Sequence, residues 1–193
     1  LRSGLEQAGW WFAAMKMLSL PIPDEVLFQI HSEDYLNFFR QACSSGKPLD
    51  ADTYTTPASW DLAFNTAGGG INGASAVWGG KAKRGFALTR PPGHHATRDK
   101  GMGFCLLNNI CLAAEYLLQI HHAERVAIID LDLHHGNGTQ EIFYERNDVF
   151  YMSTHQYPYY PGTGNLQETG KADGNGTTAN FVLPPGSGDK AFE

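Results

Sequence analysis

Apolar residues recur at helical spacing from Leu5 to Leu20, so the chain is expected to open on an amphipathic helix. Glu25 to Ile30 follows as a short extended run. Ser32 then stands directly before Glu33 and Asp34, an N-cap with acidic residues in the first turn, and the helix it opens should end near Gly46. After a polar, proline-bearing loop, Pro57 can start another helix that runs to the Gly79-Gly80 stop. Gly68-Gly69-Gly70 lies inside that stretch, where close packing or a local break is expected ahead of a phosphate-binding loop.

The later half alternates more plainly. Gly85 to Thr89 reads as a short apolar strand, Leu106 to Ile120 as a helix rich in Leu, Ala and Ile, and Arg125 to Leu131 as an unbroken aliphatic strand. Thr139 to Arg146 is then a helix, with strands at Asp148 to Ser153 and Ala179 to Leu183. Strands alternating with helices, the strands apolar throughout, indicate parallel βαβ units with both sheet faces covered, hence an open α/β sheet.

With 193 residues, 42% of them apolar, the chain can bury a single core, and two domains would be cramped. The net charge is -6 without any basic run, which argues against direct nucleic-acid binding and fits a cationic substrate. No segment reaches the roughly 18 unbroken apolar residues of a membrane helix, and the N-terminus lacks a signal-peptide pattern. A cytoplasmic protein is the expectation, and oligomeric state is not legible. Cys43, Cys105 and Cys111 include no CxxC pair and read as reduced, mostly buried thiols. Leu1 and Glu193 both read as cut ends.

Polar clusters follow three of the strands: Pro-Pro-Gly-His94-His95, Asp130-Leu-Asp132-Leu-His134-His135-Gly-Asn137, and Ser153-Thr154-His155. In an open parallel sheet ligands bind at the carboxyl ends of strands, so these loops should converge. Residues two apart in an extended segment share a side, which groups Asp130, Asp132 and His134 as two oxygen donors and one nitrogen donor suited to zinc or a similar divalent ion.

Gly85 to Asn109 (GFALTRPPGHHATRDKGMGFCLLNN), Asp130 to Gln140 (DLDLHHGNGTQ) and Tyr157 to Gly164 (YPYYPGTG) resemble the histone deacetylase family, zinc-dependent amidohydrolases that include acetoin-utilisation proteins and acetylpolyamine amidohydrolases. The similarity runs from Ile30-His31-Ser32 to Pro184-Pro185-Gly186. It implies a three-layer α/β/α fold with a mainly parallel sheet, here incomplete, the chain being the N-terminal part of one domain. It makes Asp132 and His134 zinc ligands, His94 and His95 the tandem catalytic imidazoles, and Asp130 the carboxylate that orients His94. Asp130, Asp132, His134, Ser153 and Thr154 match a monovalent cation site that takes K+. Phe104, Tyr160 and Gly103 match the tunnel that grips an acetyl-lysine stem, and Asp52, with Asp50 competing, the rim aspartate that holds a substrate backbone. In that reading His95 is the general base and a histidine returns a proton to the leaving amine. The substrate is an acetylated protein or an acetylated polyamine.

Two positions depart from the family pattern. Asn137 stands where some members carry an aspartate beside the second histidine, which should leave His95 neutral near pH 7. The third zinc ligand and the oxyanion-stabilising tyrosine should lie beyond Glu193; Asp173 and Asp189 are carboxylates outside the motif, so this stretch alone is expected to be inactive. A catalytically silent acetyl-lysine-binding module is the second reading. A ureohydrolase-like enzyme with two manganese ions is the third, although its strand would read Asp-x-His-x-Asp. Cys105 reads as a packed thiol rather than a nucleophile, and His31, His121 and His122 as surface or capping groups.

Overall fold

The computed structural model describes residues 2–191. Three parallel strands, β1 (Val126–Asp130), β2 (Val149–Gln156) and β3 (Thr178–Leu183), lie in the order β1-β2-β3. Seven helices accompany them: α1 (Arg2–Gln7), α2 (Trp10–Ala13), α3 (Asp24–Ile30), α4 (Glu33–Ser45), α5 (Ser59–Trp78), α6 (Asn109–Gln119) and α7 (Asn137–Phe143).

The expected single helix from Leu5 to Leu20 is two short ones. Gly9 takes a left-handed φ of 75° between them, and the chain is no longer helical after Ala13. Residues 18–20 instead lie along α5, where the Leu20 amide donates to the Gly68 carbonyl at 3.0 Å and Asn72 Nδ2 to the Leu18 carbonyl at 2.6 Å. Gly68 permits this approach, because a Cβ there would come within 2.0 Å of the Leu20 oxygen. Within the glycine triplet, Gly68 is therefore a packing device.

Residues 25–30, expected to be extended, form α3. Pro23 stands at its N-cap, Asp24 and Glu25 fill its first turn, and Val26, Leu27 and Ile30 are buried on one side. In so short a run the apolar residues fit either period. The Ser32 cap is as expected: its hydroxyl oxygen accepts from the Tyr35 amide, and α4 ends at Gly46 with a φ of 65°. Gly85 to Thr89, expected to be a strand, has no ladder partner among the described residues and leaves Phe86 72% exposed.

Val26, Phe39, Ile71, Leu107, Leu112, Ile128, Phe143 and Tyr151 make one core between the helices and one face of the sheet. The opposite face, with Ile129, Phe150 and Phe181, has no cover among the described residues. The α/β class and the parallel sheet are thus present, with helices layered on one side. At the other end of β1, a buried Glu115 is met by Arg146 at 2.7 Å, and Arg146 also binds Asp148 at 2.7 Å.

Candidate active site

The three polar loops do converge at the carboxyl end of the sheet. β1 ends on Asp130, whose register partner on β2 is Ser153. The 94–97 loop is held against the start of α7: the Gly138 and Thr139 amides both donate to the His94 carbonyl, at 3.0 and 3.1 Å. A Cβ at Gly138 would sit 2.2 Å from the Ala96 oxygen. Buried Asn108 caps α6 and donates through Nδ2 to the Ala96 carbonyl at 3.0 Å, fastening the same loop from below.

Each tandem histidine is oriented by its own partner. His94 Nδ1 lies 2.9 Å from Asp130 Oδ2, and His95 Nδ1 lies 2.9 Å from Asn137 Oδ1. The Asn137 amide nitrogen is turned toward the His95 carbonyl and the Met102 sulfur, which leaves its oxygen for the ring. An amide oxygen only accepts, so His95 carries its proton on Nδ1 and presents a lone pair at Nε2. The two rings are 4.0 Å apart. Burial, and then the neighbouring His94 and His134, push the His95 pKa down to about 4, so the ring is neutral at physiological pH. Burial works to raise Asp130, but His94, the Asp132 amide and Tyr151 outweigh it and hold the carboxylate below its ordinary range.

Asp132 and His134 lie together on the open side. Asp132 Oδ1 accepts the His134 amide at 2.8 Å and stands 3.1 Å from His134 Nδ1 and 3.9 Å from His94 Nε2. Two donors sharing a tetrahedral zinc would be roughly 3.3 Å apart, so the pair fits two corners of such a site. Among the described residues no third His, Cys, Asp or Glu completes it. Asp173 lies in a 3-10 turn before β3 and Asp189 in another after it, and neither joins the pair.

The tunnel candidates surround His95. The Tyr160 ring meets it edge-on at 5.0 Å, and a Cβ on Gly103 would come 2.5 Å from His95 Cδ2 and 2.9 Å from the Tyr160 hydroxyl. Only glycine fits there, at a φ of 55°. Phe104 follows with its ring outward, and Tyr159 stacks on His134 at 5.4 Å. Burial, and then Asp52 and Asp50, push the Tyr160 pKa up to about 12. Asp50 is engaged by the Asp52 and Thr53 amides through Oδ1, whereas Asp52 is exposed. Cys105 is buried with its thiol pushed up to about 12 by that burial, so it is a packed residue and no nucleophile.

In the cation-site set, Asp130 and Ser153 are adjacent across the β1–β2 ladder, and the Thr154 hydroxyl is buried without a partner. The Ser153 hydroxyl pairs with His155 Nδ1 at 2.9 Å.

Residues 3–193 match the histone deacetylase domain. The chain belongs to the histone deacetylase family. A probable deacetylase of Archaeoglobus fulgidus is 45% identical over 168 residues, 87% of this chain and 46% of that protein. The acetylpolyamine amidohydrolase of Mycoplana ramosa is 46% identical over 142 residues, 71% of this chain and 40% of that protein. The crystal structure of the HDA15 HD domain matches with a TM-score of 0.88 at 35% identity, covering 94% of this chain and 52% of that one. This deacetylase-family chain therefore spans about half the length of the relatives it matches.

Several residues that support this deacetylase-family site escaped the sequence reading. The Tyr151 hydroxyl donates to Asp130 Oδ2 at 3.2 Å, and its place two residues before Ser153 on one strand face was the available signal. Gly136 is needed because a Cβ would come 2.3 Å from Asp130 Oδ2. His135 and His155 lie with ring centroids 4.7 Å apart and bind Thr163 and the Gly164 carbonyl, while Glu168 accepts the Gly164 and Asn165 amides, so the aromatic loop is anchored from beneath. His31, expected as a surface or capping group, is fully buried, and its Nε2 accepts the Asn108 amide at 2.9 Å.

Proposed function

We infer that this chain carries the base dyad and two metal donors of a zinc-dependent amidohydrolase acting on N-acetylated amines, with acetyl-lysine in proteins as substrate. The observation that carries the reading is the pair of oriented imidazoles, His94 on Asp130 and His95 on Asn137, side by side next to Asp132 and His134.

Asp132 and His134 would hold zinc, which when bound supplies a Lewis acid for the acetyl carbonyl and an acidified water. His95, neutral and with its lone pair on Nε2, takes the proton of the attacking water. Asp130 accepts from His94 Nδ1 and fixes the orientation of that ring. A histidine of the dyad returns a proton to the amine nitrogen as the amide bond breaks, so acetate and free amine leave. Phe104 and Tyr160 flank the aliphatic stem, Gly103 opens the space between them and His95, and Asp52 holds the substrate's backbone amides at the rim. Asp130, Asp132 and His134, with Ser153 and Thr154, would hold a monovalent cation such as K+.

Catalytic zinc sites use three protein ligands, so this reading requires a third ligand, a carboxylate, and with it an oxyanion-stabilising tyrosine, from outside residues 1–193. Relatives about twice as long support that requirement. Without those groups, the stretch by itself should not turn over. A cytoplasmic location belongs to the same reading, supported by three buried free thiols.

The test is acetate release by the protein expressed from its uninterrupted reading frame, with an acetyl-lysine peptide and an acetylated polyamine side by side. Turnover of the peptide is expected. Turnover of the polyamine alone would move the substrate to small amines, as the relative from Mycoplana ramosa is named. No turnover of either would overturn the reading.

A further inference from the structure

We propose that Thr53 is a positioning residue that locks the rim carboxylate Asp52 and the aromatic wall Phe104 into one unit. The inference rests on the substrate reading above and adds a residue that no motif carries.

Gly103 and Phe104 occupy the two central positions of a tight turn between Met102 and Cys105, whose backbones exchange hydrogen bonds at 3.1 and 2.9 Å. Both central residues have positive φ, 55° and 64°, as in a type I′ turn. Glycine adopts that conformation freely, but an aromatic residue at φ 64° is disfavoured by clash of its Cβ with the backbone. Something must hold Phe104 there, and the turn's own hydrogen bonds do not use its amide.

The Phe104 N–H donates to Thr53 Oγ1 at 3.1 Å, across a separation of 51 residues. The Thr53 hydroxyl spends its own proton on Asp52 Oδ1 at 3.0 Å. The hydroxyl has one proton, so giving it to the carboxylate leaves oxygen lone pairs for the amide, and the anion strengthens that acceptor. Thr53 is 1% exposed while Asp52 and Phe104 on either side face solvent, so the connection is shielded. The loop that bears it is itself fixed: Asp50 Oδ1 accepts the Thr53 amide at 2.8 Å and the Leu49 amide donates to the Thr53 carbonyl at 2.8 Å. A substrate held by Asp52 is thereby registered against the wall that grips its stem.

The test uses the uninterrupted protein and its Thr53→Val and Thr53→Ser variants. Valine keeps the shape and removes the hydroxyl. Thr53→Val is expected to raise KM for an acetyl-lysine peptide about tenfold with kcat within about twofold, the loss of one charge-assisted link. Thr53→Ser should restore KM. Independently of turnover, the Phe104 amide should exchange hydrogen slowly in the wild type and at least about tenfold faster in Thr53→Val. An unprotected Phe104 amide in the wild type overturns the proposal even if the valine variant fails to fold. An unchanged KM in a folded Thr53→Val protein overturns it too. Slow exchange in a protein that hydrolyses no acetylated amine would sink the function reading and leave the link standing.

Discussion

At the scale of single residues, the site depends on orientation before charge. Asn137 gives His95 a neutral partner, and burial among other imidazoles already keeps that ring unprotonated, so its neutrality does not depend on the absence of a charge at 137 alone. Replacing His95 by Ala in the uninterrupted protein should lower kcat by about two orders of magnitude or more, with bound metal unchanged; near wild-type turnover would remove His95 from the mechanism. His31 offers a pH test away from the metal donors. Burial lowers its pKa to about 4 from the ordinary 6.5, so the folded protein prefers the neutral ring. Its contribution is fully present above pH 6.5 and fades as pH falls toward 4, a change on the order of 3 kcal/mol. Urea midpoints of wild type and His31→Gln measured from pH 7 to 4 should therefore converge on acidification, because only the wild type loses this term. Parallel curves would contradict the assignment.

At the scale of elements, caps and backbone contacts decide where helices begin and end. Ser32 bonds to the Tyr35 amide at the start of α4, so Ser32→Ala should cost about 1 kcal/mol of stability, read as a lower denaturant midpoint, without altering kcat. That cap was legible because its signal is local: a hydroxyl, then two acidic residues, then a glycine stop at 46. The stretch from Leu5 to Leu20 misled because hydrophobic spacing does not reveal that the backbone at Leu18 and Leu20 will pair with α5. Residues 25–30 misled for a different reason, since six residues satisfy either period and the burial of Val26, Leu27 and Ile30 against the core decided for helix. Gly85 to Thr89 has strand composition, and a strand also requires a neighbour to bond with.

At the scale of the whole molecule, the sheet places three loops, distant in sequence, at one end, and this was readable because strand ends in parallel sheets gather ligands wherever the helices lie. The run from Asp130 to Asn137 drew attention to that end because it gathers carboxylates and imidazoles after one strand. The hidden part was the support: Thr53, Asn108 and the His135–His155 pair reach the site through distances and facings that no spacing encodes, and Tyr151 was signalled only by its strand face. Ile129, Phe150 and Phe181 lie on a sheet face without cover among the described residues, and no third donor joins Asp132 and His134 there. The most direct test of the central claim is turnover of an acetyl-lysine peptide by the uninterrupted protein, stripped of metal with a chelator and titrated with Zn2+. The account predicts that activity vanishes on stripping and returns at one equivalent of zinc, and that Asp132→Asn does not recover it. Activity that survives stripping, or that Asp132→Asn retains, would contradict the account.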